Sequence, residues 1–277
     1  MFKKYWKFFV IFWSVVLVGI IGVFVFFWLI SAGKLGFMPT FEELENPNNR
    51  FASEVYFADG PIMNRYFEKE NRKYIEYREI PQSVIDALIA TEDVRFYDHS
   101  GVDVRGLFRV AKGLLTANTS AGGGSTISQQ LAKMLFPRES DLNVFELAIR
   151  KFREWVIAVR LEKSYTKEEI LTMYLNKYDF LNLAVGISSA ADIYFQVPLD
   201  SLKVEQAAML IGMAKNSSYY NPVRRPELTL NRRNVVLSQM YKYDKITREE
   251  CDSLKKLPLG LNFKRVDHKE GLATYFR

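Results

Sequence analysis

Residues 81–101 read Pro-Gln-Ser-Val-Ile-Asp-Ala-Leu-Ile-Ala-Thr-Glu-Asp-Val-Arg-Phe-Tyr-Asp-His-Ser-Gly. Pro81 opens a helix-like stretch in which Val84, Ile85, Leu88 and Ile89 recur at helical spacing. At about 100° per residue these four cover an arc of about 140°. Carried through one more turn, Glu92 falls near the middle of that arc, with Phe96 beside it. A carboxylate on an apolar stripe loses hydration, which favours its protonated form and makes it a candidate general base. The alternative is a helix that ends at Ala90, leaving Glu92 in solvent at a frayed terminus. On either reading the stretch is helical and belongs to an α-rich domain.

Outward from this stretch, the chain of 277 residues has ordinary globular composition, 48% hydrophobic and 25% charged, except at its start. Phe8 to Ile30 is a run without a charge, long enough at about 1.5 Å per residue to cross a hydrocarbon core of about 30 Å. Lys3, Lys4 and Lys7 precede it, and Glu42, Glu43 and Glu45 follow. That asymmetry predicts a cytoplasmic N-terminus and a single-pass anchor, with the remainder outside. A cleaved signal peptide fits less well, because its apolar core is normally about 7–15 residues and Ser31-Ala32-Gly33 is a poor cleavage site. The single cysteine, Cys251, excludes a disulfide framework. Two histidines, His99 and His268, cannot build a zinc site with one cysteine at such separations. The net charge of +6 suits work beside an anionic membrane or on a phosphorylated substrate. The orientation of the anchor argues against nucleic acid.

Four segments follow. Residues 1–30 are a cytoplasmic stub and anchor, and 31–75 a linker with two strand-like stretches, Ser53–Phe57 and Ile62–Phe67, around a turn at Ala58-Asp59-Gly60-Pro61. Residues 76–260 form the main domain, and 261–277 return to loop-like composition. Helical patterns cover roughly 81–97, 102–116, 126–135, 142–162, 167–177, 183–194, 201–215 and 227–242. The domain is therefore mainly α, and nothing in it suggests a nucleotide-binding parallel sheet.

Two further stretches carry chemistry. Gly122-Gly-Gly-Ser-Thr-Ile-Ser-Gln-Gln-Leu-Ala-Lys133 is a glycine loop running into a helix, with Thr126 and Gln129 spaced as a capping box. Such a helix start presents N–H groups to an anion, and Lys133 two turns on could add charge. No Gly-Lys-Ser/Thr follows the glycines, so this is not a nucleotide P-loop. The bland reading is a surface loop before a capped helix. In the 142–162 helix, Phe145, Ile149, Phe152, Val156 and Val159 are expected on one face and Glu154 on another, where Arg150 and Glu154 form an i,i+4 pair. That pair matters only if its face lines a cleft opposite Glu92.

In this order and spacing, the three stretches resemble the peptidoglycan glycosyltransferases of glycosyltransferase family 51. Residues 92–101 match Glu-Asp-x-x-Phe-x-x-His-x-Gly, and residues 123–133 match Gly-Gly-Ser-Thr-x-x-Gln-Gln-x-x-Lys. Arg150, Glu154, Leu161-Glu162 and Tyr174-Leu175-Asn176 match the third, and Glu205-Gln-Ala-Ala, Tyr220-Asn221-Pro222 and Arg232-Arg233-Asn234 are also similar. The likeness covers about residues 50–277. It implies a lysozyme-like, two-lobed fold, and polymerisation of glycan strands from lipid II with release of undecaprenyl diphosphate. Glu92 is then the general base for the acceptor 4-hydroxyl, and Glu154 the second carboxylate. Lys133 and Arg138 would neutralise the diphosphate, and Ser125, Thr126, Gln129 and Gln130 would hold sugar or phosphate oxygens. Asp93, Phe96, His99, Gly101, Arg150, Lys151 and Asn176 complete the implied substrate site. The partners implied are lipid II, the lipid-linked glycan, the bacterial cytoplasmic membrane and the cell-wall synthesis machinery. The resemblance implies no definite cofactor, and a divalent cation such as Mg on the diphosphate is compatible with the chemistry.

The chain departs from the family pattern at three points. Leu181 and Gln196 stand where glycine is usual, and Gly122 where glutamine often precedes the paired glycines. These bear on loop shape more than on chemistry. Glu270 to Phe276 resembles the lead into the transpeptidase domain of class A penicillin-binding proteins, so the sequence is expected to be the N-terminal part of a bifunctional enzyme. Two rivals remain: a lytic enzyme that shortens glycan strands, and an inactive membrane-tethered scaffold. Retention of Glu92, Glu154 and Lys133 argues against the scaffold.

Overall fold

The computed structural model describes residues 2–40, 53–56, 62–66, 73–116, 123–135 and 143–264. The expected turn at 58–61, Gly122, Arg138 and the segment 270–276 lie outside the described residues. Helix α1, Phe2–Ser31, includes an apolar stretch over Tyr5–Ser31 with mean hydropathy 2.8, long enough to cross a membrane. Strands β1 (Ser53–Tyr56) and β2 (Ile62–Tyr66) pair antiparallel. The remaining long elements described are helices: α2 (Gln82–Glu92), α3 (Val104–Leu115), α4 (Ile127–Leu135), α5 (Val144–Ser164), α6 (Lys167–Lys177), α7 (Ile187–Phe195), α8 (Val204–Met213), α9 (Pro226–Lys242) and α10 (Arg248–Lys256). Short 3-10 turns interrupt them.

The helices form two groups on one continuous core. Helix α2 packs against α8 and α9, and α10 closes on α9; α4 packs against α5 and α6. The α2 stripe of Val84, Ile85, Leu88 and Ile89 is buried as its periodicity predicts. Each such side chain contributes roughly 1.5–3 kcal/mol by leaving water. Helix α2 stops at Glu92 instead of running to 97. Asp93 takes φ −157° and leaves the helix, which points its carboxylate at the start of α4.

Helix α5 carries two different faces. Its buried side is Arg153, Ile157, Ala158 and Leu161, so the expected Phe145–Val159 stripe is not the core face. Phe145 is exposed, and Phe152 meets Phe26 and Phe27 of α1 edge-on at 5.4 and 5.7 Å between centroids. Arg160 donates to the carbonyls of Ser31 and Pro39 at 2.9 and 3.0 Å. The end of α1 is thus docked on α5.

Helix α10 escaped the periodicity reading because Cys251 is its one buried residue. The Thr247–Glu250 capping box marks its start. Arg233, fully buried, donates to the carbonyls of Leu254, Lys255, Leu257 and Pro258 and so satisfies its C-terminal end. Burial pulls the guanidinium pKa below its ordinary value.

Candidate active site

Glu92 is the last residue of α2, and its side chain is 14% exposed. Neither sequence alternative describes it fully, because polar groups from two other helices reach the carboxylate. Gln130 Nε2 on α4 donates to Oε2 at 2.9 Å, and Arg232 Nη2 on α9 donates to Oε1 at 3.3 Å. Arg232 also donates through Nε to the Gly212 carbonyl at 3.3 Å and lies over the Tyr220 ring. Behind Gln130, the Tyr174 hydroxyl donates to its Oε1 at 3.1 Å. Burial, helped by the Glu92 charge, pushes the Tyr174 phenol well above its ordinary pKa, so it stays a donor.

The rest of the first motif forms a buried clamp. Asp93 accepts from His99 Nε2 at 3.0 and 3.1 Å and from the Ile127 N–H at 3.0 Å, capping α4. His99 Nδ1 accepts the Gly101 N–H at 3.2 Å, which assigns the ring proton to Nε2. The Gly101 carbonyl receives Thr126 Oγ1 at 2.7 Å and Gln129 Nε2 at 3.3 Å. Gly101 has φ +92°, and a Cβ there would stand 2.7 Å from the Ala158 backbone. Lys167 sits over the fully buried Phe96 ring and donates to the His99 carbonyl at 2.7 Å. The Thr126–Gln129 box is only half made: the Gln129 N–H reaches Thr126 Oγ1, while its side chain goes to Gly101.

These contacts tie part of the expected binding set into the fold. Phe96, His99, Gly101 and Gln129 hold the first two motifs together and do not line the cleft beside Glu92. Asn176 is buried, and its amide is spent on both backbone groups of Ile75 at 3.0 and 2.9 Å. Glu154 is paired with Lys151 at 2.8 Å instead of with Arg150, since Lys151 also donates to Ser125 Oγ at 2.9 Å. Glu154 therefore reaches the cleft through Lys151 and Ser125. Lys133 is exposed on the last turn of α4, and Arg150 is partly buried on α5.

The cleft encloses about 470 Å³, with Glu92, Asp93, Ser125, Thr126 and Gln130 on its wall. Arg109, Lys215, Arg232 and Lys242 also line it. Lys215, Arg232 and Lys242 had no role from sequence, although Arg232 lay in a stretch already noted, and Arg109 was legible only as a cation facing lipid headgroups. For Arg232 and Lys242 the signal was faint, because α9 is polar on most sides and its two adjacent arginines face opposite tasks. Against these cations, Asp93 is committed to His99, and Asp103 to Arg95 and the Gly106 N–H. The wall is thus suited to an anionic ligand. Among the described residues no three His, Cys, Asp or Glu side chains are grouped to hold a metal ion.

A family model described as transglycosylase matches residues 59–241. Penicillin-binding protein 1A of Escherichia coli (strain K12) is 36% identical over 226 residues, covering 82% of this chain and 26% of that protein. Penicillin-binding protein 1A of Aquifex aeolicus (strain VF5) is 34% identical over 267 residues, covering 94% of this chain and 35% of that one. A crystal structure of penicillin-binding protein 1A from Haemophilus influenzae aligns with TM-score 0.45 at 22% identity, over 78% of this chain and 22% of that one. The chain spans about a quarter to a third of the length of these relatives. By the family match and by the level of identity, the chain belongs to the transglycosylase family.

Proposed function

We propose that the chain is a peptidoglycan glycosyltransferase that polymerises glycan strands from lipid II. The observation that carries this reading is the Glu92 carboxylate set in a cleft with Arg109, Lys215, Arg232 and Lys242. Gln130 and Arg232 each occupy one carboxylate oxygen and leave further lone pairs for a hydroxyl from the cleft. Glu92 takes the proton of the acceptor 4-hydroxyl as that oxygen attacks the donor's anomeric carbon from the face opposite the leaving group. The new C–O bond inverts the centre, and the electron pair of the broken bond leaves with undecaprenyl diphosphate. The cleft cations, with Lys133 and Arg138 assigned by family resemblance, stabilise the charge growing on that diphosphate. Lys151 fixes Ser125 on the cleft wall and is itself fixed by Glu154, which gives the second glutamate a positioning role.

The membrane geometry supports a lipid-linked substrate. Helix α1 anchors the chain with its N-terminus cytoplasmic, because Lys3, Lys4 and Lys7 stand at that end. On α3, Phe108 and Leu115 are 72% and 89% exposed among Arg105, Arg109 and Lys112, a composition suited to the headgroup boundary. Incubation with labelled lipid II in detergent tests the function. Polymer longer than the disaccharide is expected; strands that only shorten when preformed glycan is supplied would favour the lytic rival.

A further inference from the structure

Gln130 can meet Glu92 in two ways, because a primary amide is nearly isosteric when its oxygen and nitrogen exchange places. With nitrogen forward it donates to the carboxylate, as at the 2.9 Å contact with Oε2. With oxygen forward it would repel the carboxylate but accept a hydrogen bond from the protonated acid. The amide orientation is therefore coupled to whether Glu92 holds a proton. Tyr174 stands at the other end of that amide, its hydroxyl 3.1 Å from Gln130 Oε1 and its side chain 1% exposed. Among the described residues, Gln130 Oε1 is the acceptor given to this hydroxyl. Turning the amide would leave a buried phenol proton without an acceptor, a costly state for any buried donor. The raised phenol pKa keeps that proton in place across the working range.

We infer that Tyr174 is a positioning residue for Glu92, acting through Gln130: its hydroxyl keys the amide so that nitrogen faces the carboxylate. This rests on the glycosyltransferase reading above, in which Glu92 must be ionised to accept the proton. Also around Glu92 stand Arg232 from α9, Tyr178 from α6, and the cleft-wall cations Lys215, Arg109 and Lys242, acids Asp93 and Asp103, and phenol Tyr243. Substitution at Tyr174 leaves their charges in place. Tyr178 provides a matched comparison. Its ring stacks on Tyr174 at 5.9 Å, but its hydroxyl donates to the Met213 carbonyl at 3.1 Å and not to Gln130.

The test is kcat and KM for lipid II across pH, using the full chain in detergent, for wild type, Tyr174→Phe, Tyr178→Phe, Gln130→Leu and Tyr174→Phe/Gln130→Leu. Without the key, the amide can side with the protonated acid. The acid limb of kcat should then move up by about 0.5–1 pH unit in Tyr174→Phe, the span of one net hydrogen bond, with KM little changed. Tyr178→Phe should leave the limb in place. Gln130→Leu should move it the same way, and adding Tyr174→Phe to Gln130→Leu should move it no further. A folded Tyr174→Phe with the wild-type limb overturns the positioning role. So does a shift of equal size when Gln130 is already leucine. Should Tyr174→Phe unfold, Gln130→Leu decides, and an unmoved limb there overturns the inference. Polymer from wild type with an unshifted Tyr174→Phe limb defeats the positioning role alone, whereas no polymer from wild type defeats the function as well.

Discussion

Arg232 on α9 and Glu92 at the end of α2, 140 residues apart in sequence, meet at 3.3 Å across the cleft. The contact joins α9 to the end of α2 and aims a cation at the proposed base. Arg232→Gln should therefore reduce polymerisation by about 10- to 100-fold, the range for a charged hydrogen bond lost at a reacting group. Arg224→Gln removes an equal charge from an exposed position two residues before α9 and should cost much less. Equal losses measured for the two variants would reduce Arg232 to general electrostatics.

Asp103 starts α3 by accepting the Gly106 N–H and also pairs with Arg95. Burial alone would raise its carboxyl, but the Arg95 and Gly106 hydrogen bonds outweigh it and hold the pKa below the ordinary value. A depressed acid stabilises the fold above its unfolded pKa of about 3.9, and that contribution is lost as pH falls through the lower folded value. Asp103→Asn keeps the cap and loses the charge pair. Thermal unfolding should place the variant about 2–4 °C below wild type at pH 7, the shift expected for roughly 1 kcal/mol. The gap should close below about pH 4. A gap that persists unchanged to pH 2.5 contradicts the linkage.

The two glycine departures have a conformational meaning. Leu181 has φ +66° and Gln196 φ +56°, the left-handed region that disfavours side chains. Gln196 ends α7 in this conformation, its N–H donating to the Asp192 carbonyl. Gln196→Gly should relieve about 1–2 kcal/mol of backbone cost and lose part of it to chain entropy, for a net gain of roughly 0.5–1 kcal/mol. Denaturant unfolding measures it, and a destabilised variant would show that the Gln196 side-chain bond to Asp192 outweighs the strain.

Helix α3 leaves Phe108 and Leu115 in the open. With the chain reconstituted in vesicles, a fluorophore on Phe108→Cys should be quenched by nitroxides carried on lipid. The native Cys251 is buried and should label little. Water-like emission without quenching would mean that α3 does not touch the bilayer.

The α2 stripe and the long apolar helix α1 were legible in sequence because each depends on local spacing. The partners of Glu92 were not, since Gln130, Tyr174 and Arg232 converge only through tertiary packing. Helix α5 misled for a related reason. Its second apolar stripe packs on α1, and periodicity registers an apolar face without saying what covers it. Asn176 and His99 entered the expected set through motif membership, and the bonds that tie them to Ile75, Asp93 and Gly101 depend on tertiary packing that no local spacing announces.

The most direct measurement is the initial rate of lipid II polymerisation by wild type and Glu92→Gln, both verified as folded by thermal unfolding. Wild type should form polymer, and Glu92→Gln should be slower by about 10²–10⁴-fold, the contribution of a positioned general base. Polymerisation by Glu92→Gln at a rate near that of wild type would contradict the assignment of Glu92 as the base.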